Sequence, residues 1–156
     1  MEIRLLGKEE ALPMGLLLEA DPSEKLVRAY CARGRCYVAE EGQAVLGVYM
    51  LLPLSDTVIE IKNIAVEKTR RGQGLGKQLV LHALTEAAGL GFRTVRIGTG
   101  NSSFGQLALY QKCGFRMASI DRDFFIRNYP EPIFENGITC RDMIYLEYDT
   151  SENPHD

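Results

Sequence analysis

Residues 66–77 read Val-Glu-Lys-Thr-Arg-Arg-Gly-Gln-Gly-Leu-Gly-Lys, and this stretch limits what the chain can become. It joins a β-rich run ending at Val66 to a helical pattern in which Leu75, Leu79, Ala83 and Ala87 recur every four residues. Three glycines, Gly72, Gly74 and Gly76, carry an entropic cost that the fold must offset. Arg70, Arg71 and Lys77 crowd like charges into the same turn. An anion relieves both problems. A strand that feeds a helix through glycines leaves main-chain N–H groups unpaired, and the helix dipole adds positive potential there.

The spacing narrows the choice of anion. A nucleotide-triphosphate loop needs GxxxxGK followed by Ser or Thr, but Gly72 and Gly76 stand one residue too close and Gln78 follows Lys77. The dinucleotide fingerprint GxGxxG fails because residues 72–77 are GxGxGK. Some twenty residues on, residues 93–96 hold no acid for a ribose.

The remaining pattern places the turn in a mixed α/β sheet. Residues 2–6 read as a first strand, and a helix follows from Glu10 with Pro13 in its first turn. Asp21-Pro22-Ser23-Glu24 signals a second helix that buries Leu26, Val27, Tyr30 and Cys31 and stops at Gly34. Strands at 37–41 and 44–54 flank a hairpin turn at Glu41-Gly42-Gln43, and 57–66 completes a meander. After the glycine turn come a helix at 75–90, a strand at 94–98, a helix from Ser103 to Cys113, and strands at 117–126 and 140–148. Residues 127–139 read as a long loop, a length that points to function.

A chain of 156 residues is one domain's worth, predicted over residues 1–149 with a polar tail at 150–156. A net charge of −3 gives no global pull toward nucleic acid, and no apolar run is long enough to span a bilayer. Cys31, Cys36, Cys113 and Cys140 form no CxxC pair and read as reduced thiols, which suits a cytoplasmic protein. His82 and His155 stand apart from them, so no metal site is expected.

Arg71-x-x-Gly74-x-Gly76 after a strand resembles the Q/R-x-x-G-x-G/A hallmark of the GNAT superfamily of acetyl-CoA-dependent N-acetyltransferases. The run 107–115, "LALYQKCGF", is similar to that family's second cofactor element, and the element order agrees from residue 2 to residue 148. The resemblance implies a mostly antiparallel sheet of about seven strands with about four helices, its fourth and fifth strands splayed around the pantetheine arm. It implies that the amides of Arg71, Gly72, Gln73, Gly74, Leu75, Gly76 and Lys77 hold the diphosphate, and that Ile64, Ala65 and Val66 meet the arm. Where the family often has Asn and Ala ahead of its helix tyrosine, this chain has Ser103 and Gln106; Asn101 is the candidate substitute.

By the same resemblance Tyr110 is the candidate acid for the departing thiol, with core packing as its other reading. Glu60 is the candidate base, on one face with Lys62, Ile64 and Val66 if period two holds along the strand; pairing with Lys62 is the alternative. Glu60, Glu131, Glu135 and the acids Asp121 and Asp123, near Tyr129 and Phe134, suggest an acidic mouth for a small-molecule amine. A peptide acceptor, or an acyl-CoA sensor without catalysis, remains open from these residues. Met117, Ile120, Phe124 and Phe125 read as core or as the face of a homodimer.

Overall fold

The computed structural model describes residues 1–151, so His155 and most of the polar tail lie outside the described residues. The elements run β1 (Glu2–Leu5), α1 (Met14–Ala20), α2 (Glu24–Cys31), β2 (Arg35–Glu41), β3 (Ala44–Pro53), β4 (Val58–Val66), α3 (Leu75–Gly89), β5 (Thr94–Gly100) and α4 (Phe104–Lys112). Then come β6 (Arg116–Asp121), α5 (Phe124–Asn128), β7 (Phe134–Glu135), β8 (Ile138–Thr139) and β9 (Met143–Asp149). Seven strands form one sheet in the order β1-β2-β3-β4-β5-β9-β6. Among the described residues only β4 and β5 pair in parallel; the meander and the β9 returns are antiparallel. This is the mixed sheet expected from the sequence.

Two apolar layers hold it. On one face Leu79, Val80, Ala83 and Ala87 of α3 pack with Tyr49, Ile59, Ile61, Val95 and Ile97, and Tyr110 of α4 joins the same cluster. On the other face Leu17 of α1 and Val27 and Tyr30 of α2 cover Val38, Val48, Met50, Leu52 and Ala65. Polar groups inside these layers find partners where the Tyr49 hydroxyl meets His82 Nδ1 at 2.6 Å and Asn63 Nδ2 donates to the Leu17 carbonyl at 3.0 Å, while Asn63 Oδ1 is buried without one.

Several local expectations need correction. Helix α1 begins at Met14 rather than Glu10, because Glu10 turns back to accept from the Gly7 amide and the Arg4 guanidinium, each at 2.9 Å. Ser23, not Asp21, caps α2 by accepting from the Leu26 amide at 3.2 Å. Leu26 is 43% exposed and Cys31 half-buried, so α2 buries only Val27 and Tyr30. The predicted strand at 117–126 ends at Asp121; Asp123 takes φ 61° and opens α5, a fifth helix. The loop at 127–139 is partly ordered as the β7–β8 hairpin, turned by Asn136 and Gly137 at φ 55° and 74°. Asn-Gly is the preferred pair for such a turn, a signal present in the sequence. Met117 and Ile120 are 57% and 61% exposed on the edge strand β6 and so are not core.

The feature that shapes the site is an extra residue in β4. Met50 of β3 pairs with Asn63 and Leu51 with Ile61, so Lys62 stands opposite nothing. Such a bulge bends its strand and reverses the parity of everything after it. Before the bulge, odd-numbered Ile59 and Ile61 face α3; after it, even-numbered Ile64 and Val66 do. Glu60 therefore lies on the opposite face from Ile64 and Val66, contrary to a simple period of two. Pairing between β4 and β5 stops at Ile61 and Ile97, while β5 continues alone with β9 to Gly100. The two strands part there.

Gly34 illustrates how tightly the meander is built against α2. It ends the helix region without positive φ; its role is close approach, since a Cβ would sit 2.4 Å from the Leu51 carbonyl oxygen. Gly34→Ala is expected to cost about 1–3 kcal/mol, read as a lower midpoint in denaturant at unchanged slope.

Candidate active site

The glycine turn is built to present amides. Gly72 and Gly74 adopt φ 77° and 85°, a region costly to residues with a Cβ, and Gly74 caps α3. The first amide of this helix to find a main-chain partner is Gln78, bonded to the Gly74 carbonyl at 3.1 Å. Among the described residues the amides of Gly72, Gln73, Gly74, Leu75, Gly76 and Lys77 donate to no protein group. Arg71 is an exception to the expected run, because its amide already reaches the Lys68 carbonyl at 3.4 Å. Orphaned donors at a helix start fit a diphosphate.

The cations at the rim are partly engaged. Arg71 donates from Nε to the Val66 carbonyl at 3.3 Å and pairs with Glu19 at 3.0 Å, while Arg70 pairs with Glu41 at 3.5 Å. These exposed pairs are individually weak, so an anion can compete for the same charges. Gln73 turns its amide to the Thr69 carbonyl at 3.3 Å. Beside the turn, residues 64–66 of β4 pair with β3 alone, leaving their other edge open to the gap.

Tyr110 is 3% exposed and packs against Phe115. Burial pushes its phenol well above the usual value, so it holds its proton throughout the neutral range. Its hydroxyl has no hydrogen-bond partner among the described residues. Glu60 is equally buried, at 3% exposure, and is held by two cations. Arg96 Nε donates to its Oε1 at 2.7 Å, and Lys62 Nζ lies 3.5 Å from its Oε2. The sequence reading paired Glu60 with Lys62 and missed Arg96, which stands directly beside Glu60 in the parallel register.

Asn101 does not substitute as a free contact in the gap. Its Oδ1 accepts from the amides of Arg141 and Asp142 at 2.9 and 3.0 Å, and its Nδ2 donates to the Thr139 carbonyl at 3.1 Å. It ties the end of β5 to the segment entering β9. Ser103 starts α4 without capping it, and its hydroxyl donates to Glu135 at 2.6 Å.

The acidic mouth is not assembled. Glu135 is taken by Ser103, Asp121 pairs with Arg127 at 2.7 Å, and Asp123 pairs with Arg141 at 2.9 Å. Glu131 is exposed, and Phe134 is 70% exposed. Tyr129 instead reaches across to Asp21 at the α1–α2 corner, donating at 2.9 Å. Tyr30 donates to the other Asp21 oxygen at 3.3 Å and accepts from Asn63 Nδ2 at 2.9 Å. A polar chain thus runs from the splayed half of β4, through Tyr30 and Asp21, to the segment after α5. Its sequence signal was Asp21-Pro22, which reads as a helix start and conceals this second use.

Two predictions follow from these roles. Asn101→Ala removes three bonds to one segment and is expected to cost about 2–4 kcal/mol in denaturant unfolding, with affinity for CoA unchanged by titration calorimetry. Tyr30, Tyr49, Tyr110 and Tyr129 are all pushed above the ordinary tyrosine value, chiefly by burial. The unfolded chain releases these protons near pH ~10 while the folded chain keeps them. Folding stability is therefore full below that pH and falls as pH rises beyond it, which denaturant midpoints at pH 8 to 11 will show.

Comparison with known proteins agrees with this geometry. The sequence matches the acetyltransferase (GNAT) family over residues 9–115. An uncharacterised N-acetyltransferase of Bacillus subtilis, YvbK, is 56% identical over 134 residues, covering 86% of each chain. A GNAT family acetyltransferase from Elizabethkingia anophelis, solved with acetyl-CoA bound, superimposes with a TM-score of 0.93 at 44% identity, over 95% of this chain and 97% of its own. A Bacillus subtilis acetyltransferase solved in complex with CoA gives 0.89 at 52% identity, over 95% and 99%. With a turn of orphaned amides beside a splayed strand pair, and relatives that carry CoA or its acetyl thioester, the chain belongs to the GNAT family of acetyltransferases and acetyl-CoA is its cosubstrate.

Proposed function

We propose that this acetyltransferase transfers the acetyl group to the primary amine of a small molecule, by direct attack in a ternary complex. The observation that carries the reading is the bridge between Tyr129 and Asp21, which joins the α1–α2 corner to the segment after α5. Segments tied together in this way, and through Tyr30 to Asn63 in the splayed half of β4, favour a compact acceptor over a folded protein surface.

Acetyl-CoA supplies the acyl thioester and a thiolate leaving group. In this reading the amides of residues 72–77 hold its diphosphate, Lys77 and the competing Arg71 neutralise it, and the open edge at Ile64, Ala65 and Val66 takes the arm. Tyr110 keeps a proton ready for the departing sulfur; because burial makes the phenol a weaker acid, hydrogen bonding matters more than complete transfer. Glu60 serves as the anchor of Arg96 and Lys62 rather than as the base. Both its oxygens already face cations, so the amine arrives neutral through its own equilibrium and the enzyme contributes positioning.

The four free cysteines, three of them buried, support a reducing cytoplasmic setting. The exposed β6 edge, with Met117 and Ile120, supports a homodimer that covers it. Among the described residues no helix is long and apolar enough to cross a membrane.

Thiol release measured with acetyl-CoA, against small primary amines and short peptides, tests the reading. Turnover of small amines is expected; turnover of peptides alone overturns it, and CoA binding without any turnover points to a sensor. Tyr110→Phe should lower kcat by about 10²-fold or more while leaving CoA affinity intact, whereas a packing role would leave kcat unmoved. Glu60→Gln should leave the pH dependence of kcat/KM tracking the amine's own pKa.

A further inference from the structure

We infer that Arg96 is the acceptor-recognition residue, and that the preferred acceptor is an amine bearing a carboxylate. The inference rests on the small-amine reading above and adds the chemistry by which the amine is selected.

Arg96 lies at the root of the splay, one residue before pairing between β4 and β5 ends. It is on the face opposite α3, since its neighbours Val95 and Ile97 are in the α3 cluster. Two contacts immobilise it. Its Nε is bonded to buried Glu60 at 2.7 Å, and its guanidinium lies 4.0 Å from the centroid of the Tyr145 ring. The terminal nitrogens are left over. Among the described residues neither Nη1 nor Nη2 has a hydrogen-bond acceptor, and Glu147, the cross-strand partner of Arg96 on β9, forms no ion pair with it. The side chain is still 30% exposed.

An arginine fixed along one edge and one face, with its outer fork unspent, is a receptor for a planar two-oxygen anion. The five donors of a guanidinium match a carboxylate in parallel pairs, and little entropy remains to be lost when the ligand docks. Lys62 adds a second positive charge through the shared Glu60, so two cations flank that one buried carboxylate. Each cation also meets an aromatic ring, Lys62 that of Tyr30 at 5.8 Å and Arg96 that of Tyr145 at 4.0 Å. Glu60 makes sense in this arrangement: buried beneath the fork, it aims Arg96 without competing for the terminal nitrogens. The loop acids that would favour a dicationic amine are each committed elsewhere or exposed, as described above.

The test compares amines that differ only in the carboxylate: phenylalanine with phenethylamine, tyrosine with tyramine, and lysine with cadaverine. The wild-type enzyme should favour the amino acid in each pair by roughly tenfold to a hundredfold in kcat/KM, the effect of one charged hydrogen-bonded pair. Arg96→Lys keeps a cation for Glu60 but loses the fork; it should abolish the preference mainly through KM, with the CoA-induced thermal shift preserved. Should that variant fail to fold, 3-phenylpropanoate gives the same reading on the wild type, by inhibiting competitively against the amine and not against acetyl-CoA. Equal or better turnover of the decarboxylated amines, or no inhibition by the deaminated acid, overturns the carboxylate assignment while small-amine acetylation stands. Absence of turnover with every amine, while CoA still binds, overturns the small-amine reading and this inference with it.

Discussion

One unpaired residue in the fourth strand organises the whole active region. Without Lys62, β4 would run as a regular strand between β3 and β5, and hydrogen bonds would close the sheet along its length. With it, the strand bends, its side chains exchange faces, and its pairing with β5 ends after four register pairs. The gap is therefore not carved out of a finished sheet. It is the part of the sheet that the bulge prevents from forming, and its open backbone edge follows from the same event.

The bulge also explains why two chemistries can meet at one place. On the α3 side, Ile64, Val66 and the start of α3 make a surface that is apolar along the strand and rich in unpaired amides at the turn. On the other side, buried Glu60 and half-buried Arg96 form a polar pair beside Lys62, with Tyr30 and Tyr145 close to the cations. A strand with unbroken alternation would have put Glu60 among the apolar residues facing α3. The phase change lets a charged group and an apolar wall occupy the same strand two turns of pleat apart, each on the face where it is satisfied.

Much of this was legible before any coordinates. The glycine turn, the helix face of Leu75, Leu79, Ala83 and Ala87, the meander and the Tyr110 element all rest on local patterns, and each stands where the pattern put it. The bulge was legible too, though only in hindsight of its parity: apolar residues occur at 59 and 61 and then at 64 and 66, a shift of phase across Lys62. Assuming a constant period from Glu60 onward erased that shift. The β7–β8 hairpin was likewise announced by Asn136-Gly137, hidden in a loop whose length drew attention away from its composition.

What sequence order could not supply was the list of partners. Glu135, Asp121 and Asp123 look like an acidic surface when read along the chain, yet Ser103, Arg127 and Arg141 reach them in space. Arg141 is 18 residues from Asp123, and Ser103 is 32 from Glu135. Arg96 escapes notice for the complementary reason, because its partner Glu60 lies 36 residues away on a strand brought alongside by the α3 crossover. Charge counted along a loop therefore says little about the field at a site. What a site offers a ligand depends on which donors remain after the protein has satisfied its own acids, and beside Glu60 the terminal nitrogens of Arg96 meet no carboxylate among the described residues.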